Sequence, residues 1–128
     1  MASVAYSVAL LLQQNSFGTL GADIFVHKWG LTEGHQILVM NTGGNASELK
    51  TLYRNPYFQI LVRGEEIKSH EIYYEEAENI YNFLVSSPEN ITVDGYAYKG
   101  FEPTTDIMAI GEDENGRPIF SMNFETYI

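Results

Sequence analysis

Residues 54–64 read Arg-Asn-Pro-Tyr-Phe-Gln-Ile-Leu-Val-Arg-Gly, and this stretch limits the fold more than any other. Tyr57, Phe58, Ile60, Leu61 and Val62 are aromatic or branched, the side chains that fit a pleated surface. Pro56 and Gly64 bound the run, as expected for a strand. It is apolar on both faces except at Gln59, so it reads as a central strand covered on both sides. A helix pattern follows at once over residues 68–86. Tyr73, Ala77, Ile80, Tyr81 and Leu84 share one face of it, while Glu75, Glu78 and Asn82 fall away. Glu65, Glu66 and Glu71 crowd its start, where acids suit the helix dipole, and Pro88 ends it.

The other elements fall around this pair. Residues 3–14 form a helix with Val4, Val8, Leu11 and Leu12 on one face, Ala5 and Ala9 allowing close packing, and Ser3 as N-cap. Its stop is Asn-Ser-Phe-Gly at 15–18, with Asn or Gly available for a left-handed cap. Residues 22–29 and 36–41 are strands spaced for an antiparallel hairpin across the 30–34 turn. Residues 42–54 form a long loop, a length often associated with function. The last forty residues are strand-rich. Residues 91–93 and 96–101 flank Asp94-Gly95, and residues 106–111 and 118–127 flank a turn holding Asn115-Gly116; both dipeptides favour primed hairpin turns. The expected fold is α+β, a mixed or antiparallel sheet with two helices packed on one face, in a single domain over residues 1–128.

Chemistry is scarce. With no cysteines, disulfides and cysteine-based metal sites are excluded. His27, His35 and His70 lie at no metal-binding spacing, and no serine sits in a nucleophile motif. The acids Glu71, Glu75, Glu76 and Glu78 read as a solvated helix face. Asp113-Glu114-Asn115-Gly116 resembles part of a calcium loop, but a hairpin turn explains it. The residues therefore point to no catalytic, cofactor or metal site. Residues 1–64 hold four basic and three acidic side chains (+1), whereas residues 65–128 hold three basic and fourteen acidic (−11). That second half is unsuited to gripping phosphates. The apolar stretch at 4–12 is short and lacks a basic flank, and no run approaches the ~20 residues of a membrane span, so a soluble protein is expected.

Arg54 and Arg63 bracket the central strand, and each guanidinium needs a partner. An acid of the second helix is the expected partner, with a neighbouring subunit next. Nine tyrosines among the aromatics mildly favour an assembly protein.

Four blocks then carry a resemblance. They are the first helix followed by Phe17-Gly18-Thr19-Leu20-Gly21 and Asp23-Ile24-Phe25-Val26; Asn41-Thr42-Gly43-Gly44 after a strand; Tyr53-Arg54-Asn55-Pro56 with Gln59-Ile60-Leu61-Val62-Arg63-Gly64; and Glu114-Asn115-Gly116-Arg117-Pro118 with Phe120-Ser121-Met122-Asn123-Phe124. In this order the chain resembles the tail terminator, or minor capsid, proteins of long-tailed bacteriophages. The resemblance implies a structural virion protein and no enzyme. It would form a homo-oligomeric ring, usually a hexamer, on the head-proximal end of the tail tube. The ring would stop tube polymerisation, meet a neck or head-completion protein, and let genome DNA pass without specific binding. It would be assembled in the host cytoplasm. Candidate subunit contacts are Thr42, Gly43, Gly44, Arg54, Arg63, Asn115, Gly116 and Arg117. A neck adaptor ring and a small ligand-binding α+β domain are the alternatives.

Overall fold

The computed structural model describes residues 3–45, 54–66, 70–87 and 91–128. Two helices, α1 (Val4–Gln14) and α2 (His70–Val85), accompany eight strands: β1 (Ile24–Val26), β2 (Gln36–Asn45), β3 (Asn55–Arg63), β4 (Ile91–Val93), β5 (Tyr96–Tyr98), β6 (Phe101–Pro103), β7 (Met108–Glu112) and β8 (Pro118–Thr126). The main sheet runs β1-β2-β3-β8, and β6 and β7 both lie along the outer side of β8. The β4–β5 hairpin stands apart as a second small sheet. The architecture is α+β, as expected.

Register explains the layers. Phe58, Ile60 and Val62 of β3 lie level with Phe124, Met122 and Phe120 of β8, and Val62 and Ile60 with Ile37 and Val39 of β2. All are buried, and they form one face with Val4, Val8, Leu12, Tyr73, Ala77, Ile80 and Leu84 of the helices. Burying each large apolar side chain contributes about 1.5–3 kcal/mol. The opposite face carries Tyr57, Gln59 and Leu61, which are only half-buried. The central strand is therefore sealed on one side and partly open on the other, where two fully covered faces were expected. Gln59 explains the difference, since its amide donates to Ser121 Oγ at 2.9 Å along that open face.

The helix ends are tied to the sheet. Ser3 Oγ accepts from Tyr6 N and Asn41 Oδ1 from Ala5 N, which satisfies two free donors of α1's first turn. At its other end the left-handed residue is Ser16 (φ 66°). Asn15 keeps φ −105°, and its side chain instead donates to Leu11 O. The expected Asn or Gly cap is thus replaced by Ser16. Gly64 has a packing reason: a Cβ there would lie 2.2 Å from the Tyr73 ring, so only glycine lets α2 settle on the strand exit.

Three connections depart from expectation. β1 and β2 pair in parallel, Ile24 with Ile37 through Val26 with Val39, rather than as an antiparallel hairpin. His27 turns the chain out with φ 70° while its N–H still donates to Val39 O, and residues 28–35 then carry it back to the start of β2. A strand of three residues needs only that short return to pair in parallel. The predicted 42–54 loop is in part strand: β2 continues to Asn45, with Gly43, Gly44 and Asn45 opposite Tyr57, Pro56 and Asn55. Thr42 is the extra residue of a bulge between Asn41 and Gly43. Gly44 is obligatory there, because at φ +122° a Cβ would sit 2.2 Å from Asn55 O. The rest of that predicted loop before Arg54, the start expected for α2 and its Pro88 stop lie outside the described residues. The predicted 96–101 strand breaks at Gly100 (φ 122°), leaving β5 in the small sheet and β6 in the main one.

The two hairpins also differ. Asp94 and Gly95 both have positive φ (49° and 82°), giving the expected primed turn. At 113–117 Gly116 alone is positive (75°). Gly116 N donates to Asp113 O and Asp113 N to Arg117 O, so this is a longer turn closed by a left-handed glycine. Asp113 is used up within it: its carboxylate accepts from Asn115 N, Arg117 N and Arg117 Nε. Although burial pushes the other way, those bonds hold the Asp113 carboxyl below its usual range.

Candidate subunit interface

The eight residues singled out from sequence separate into two groups at opposite ends of the sheet. Thr42, Gly43, Gly44 and Arg54 lie at the β2–β3 arm, and all are exposed. Arg54 N and O pair with Ile128, so the end of the chain is stitched to the same arm. Arg63, Asn115, Gly116 and Arg117 lie at the other end, about 26 Å away along β3 at ~3.3 Å per residue.

At that second end three side chains hold the 28–35 loop by its backbone. Arg63 Nη2 donates to Thr32 O at 2.8 Å and Gly34 O at 3.1 Å. Arg117 Nη1 donates to Glu33 O at 3.0 Å, while its Nε binds Asp113 Oδ2 at 2.7 Å. Gln36, fully buried, donates to Thr32 O at 2.7 Å and accepts from Gly30 N at 3.0 Å. Three consecutive carbonyls, 32 to 34, are thus bound by two guanidiniums. The Arg63 guanidinium also stacks on Trp29 at 4.9 Å. Among the described contacts its partners are carbonyls and an aromatic ring, where an acid of α2 was expected. Burial, with Arg117 nearby, lowers the Arg63 pKa from its ordinary value. Arg63 is buried, so it bears on a subunit contact only through the loop it positions. Glu33, Glu66, Asn115 and Arg117 line a polar recess of about 160 Å³ between loop and hairpin.

The loop presents an apolar tip. Leu31 is 102% exposed. Beside it Phe25, Val26, Lys28 and Trp29 line a groove of about 520 Å³. Phe25 is fixed under the loop, since a Cβ on Gly30 would lie 2.2 Å from its ring. Sequence reasoning passed over Trp29, Leu31 and Gln36. The available clue was an isolated leucine in a turn otherwise made of Gly, Thr and Glu.

A fourth tie joins this end to α2. His35 Nε2 lies 2.7 Å from both carboxylate oxygens of Glu76, and its ring stacks on Tyr73 at 5.6 Å. Glu71, Glu75 and Glu78 form the expected solvated face, but Glu76 turns inward to this contact. Burial lowers the His35 pKa, yet the Glu76 hydrogen bond and charge, with Asp23 and Glu65, raise it overall. A raised folded pKa gives stability that is fully present below the unfolded value near 6.5 and lost as pH rises through the folded value. The stability gap between wild type and His35→Gln should therefore be widest just below about pH 6.5 and shrink above the folded pKa. Urea midpoints across that range measure it, and a gap independent of pH would contradict the ion pair.

Among the described residues no group of three or more His, Asp or Glu side chains could hold a metal ion. Among them, too, no helix is long and apolar enough to cross a membrane.

The fold is thus an α+β domain with an exposed β2–β3 arm at one end of its sheet and a clamped loop at the other. Residues 11–128 match the model of a family described as bacteriophage tail terminator protein, and the chain belongs to that family. It is thus a structural component of the phage tail and associates with other tail proteins. A search of curated proteins finds no match.

Proposed function

We propose that this chain, as a single tail-terminator domain over residues 1–128, forms a ring, a hexamer as in the resemblance above, on the head-proximal end of the tail tube. There it ends tube polymerisation and presents its free face to a neck or head-completion protein. The observation that carries this reading is the family match over residues 11–128. The two ends of the sheet support it: a ring of identical subunits uses heterologous contacts, in which one surface fits a different surface on the next copy. The arm with Thr42, Gly43, Gly44 and Arg54, and the hairpin with Asn115, Gly116 and Arg117, are the contact regions. Arg63 acts there through the loop. The role is structural, without catalysis or cofactor. Assembly takes place in the host cytoplasm, and genome DNA passes through the ring without specific binding. Exposed Glu71, Glu75 and Glu78 on α2, and Glu102 on β6, are the acids that would keep DNA sliding.

Tail assembly without this protein tests the proposal. Negative-stain images should show tubes of uncontrolled, excess length that fail to join heads. Tubes of normal length that lack only heads would instead indicate a neck adaptor.

A further inference from the structure

The clamped loop holds an apolar tip that no described residue covers. Arg63, Arg117 and Gln36 fix its backbone, yet the side chain held out in front is a fully exposed leucine. An apolar group fixed in water beside an apolar groove gains only when another surface arrives. Among the described residues lining the groove, Lys28 is the charged one.

The opposite edge of the sheet carries a counterpart. β7 is exposed along its whole length, with Met108 at 42% and Ile110 at 53%. No described strand pairs with its outer side. Exposed acids, Asp106 and Glu112, flank this apolar pair. Among the described residues Asp106 accepts from its neighbour Ile107 N and Glu112 lies 3.7 Å from half-exposed His70, and both acids are exposed. One edge thus offers a groove, a leucine and a cation. The other offers two apolar side chains between anions. The β1 and β7 edges belong to one sheet with three strands between them; the loop's Glu33 reaches Arg117 of the β7–β8 hairpin, while Phe25 and Val26 keep the groove at β1.

We infer that Met108 and Ile110 on β7 of one copy dock against Leu31 and the Phe25–Trp29 groove of the next, with Lys28 facing Asp106 and Glu112. The contact is heterologous and repeats around a ring. It rests on the ring reading above and adds a pair of surfaces to the contact regions named there. Apolar burial supplies the attraction, and the charges select the orientation.

The chain's lack of cysteine gives a clean test. Full-length Leu31→Cys and Ile110→Cys proteins, one bearing a size tag, are mixed under mild oxidation. All sites used are exposed, so folding is not at stake, and circular dichroism checks it. The mixed cross-link should form at least about tenfold faster than Leu31→Cys with itself, or than Leu31→Cys with Ile72→Cys, an equally exposed control on α2. Equal rates, or a faster self-pair, would overturn the inference. Native mass of the wild type separates it from the ring reading. A ring without the preferred cross-link leaves the ring and removes these surfaces. The preferred cross-link in open chains that never close keeps the surfaces and removes the ring.

Discussion

Replacing Phe58 with alanine should lower stability by about 3–5 kcal/mol. Phe58 is fully buried at the centre of the sheet. Its ring stacks on Phe124 at 5.5 Å and meets Phe101 edge-on at 5.9 Å, so it joins β3, β8 and β6 in one contact. Alanine would lose the transfer energy of the ring and leave a cavity in the core beside Phe124 and Phe101, whose hydrogen-bonded strands limit how far they can close it. For a domain whose whole stability is roughly 5–15 kcal/mol, that is a large share. Urea unfolding followed by circular dichroism measures it, and Phe58→Leu should cost less. An unchanged midpoint for the alanine variant would contradict the packing described above.

The second large effect is expected at Arg63. Arg63→Lys keeps the charge but cannot serve two carbonyls from one planar group, nor stack on Trp29 in the same way. Hydrogen bonds from charged groups contribute about 1.5–3 kcal/mol each, and the relief of a buried guanidinium offsets part of their loss. We expect about 1–3 kcal/mol of lost stability on that scale. Its local signature should be clearer than its global one. Amide exchange at Gly30, whose N–H is bound by Gln36, should speed by about tenfold or more for each 1.4 kcal/mol lost from the loop. Exchange in β3 and β8 should rise only with global stability. If loop exchange stays at the wild-type rate, the clamp does not depend on Arg63. If the loop carries a subunit contact, the same variant should also assemble less well than its residual stability predicts.

Much of the scaffold was legible in the chain. The 54–64 run was readable as the central strand because its β-type side chains are dense and bounded. α1 and α2 were readable because their apolar faces repeat at helical spacing. β8 alternated Phe120, Met122, Phe124 and Thr126 against Ile119, Ser121, Asn123 and Glu125, and the first set is indeed buried. The family resemblance rested on blocks lying mostly within the span that the family model matches. Pairing was less visible. Nothing local in Ile24–Val26 tells a parallel partner from an antiparallel one, since both bury the same alternating side chains. Thr42 to Asn45 looked like loop because glycines weaken strand propensity, whereas here Gly44 permits the close approach of Asn55 and Pro56.

Local side-chain patterns thus determined which segments are helix or strand, that no cysteine chemistry is possible, and where Arg63 falls in its strand. Only the tertiary structure decided what Arg63 does. Its partners, the carbonyls of Thr32 and Gly34, are 31 and 29 residues away, and a carbonyl is present at every position. Side-chain identity cannot mark which backbone oxygen a guanidinium will meet. The fold settles that by bringing the 28–35 loop across the end of β3, and by the same step it leaves Leu31 facing water.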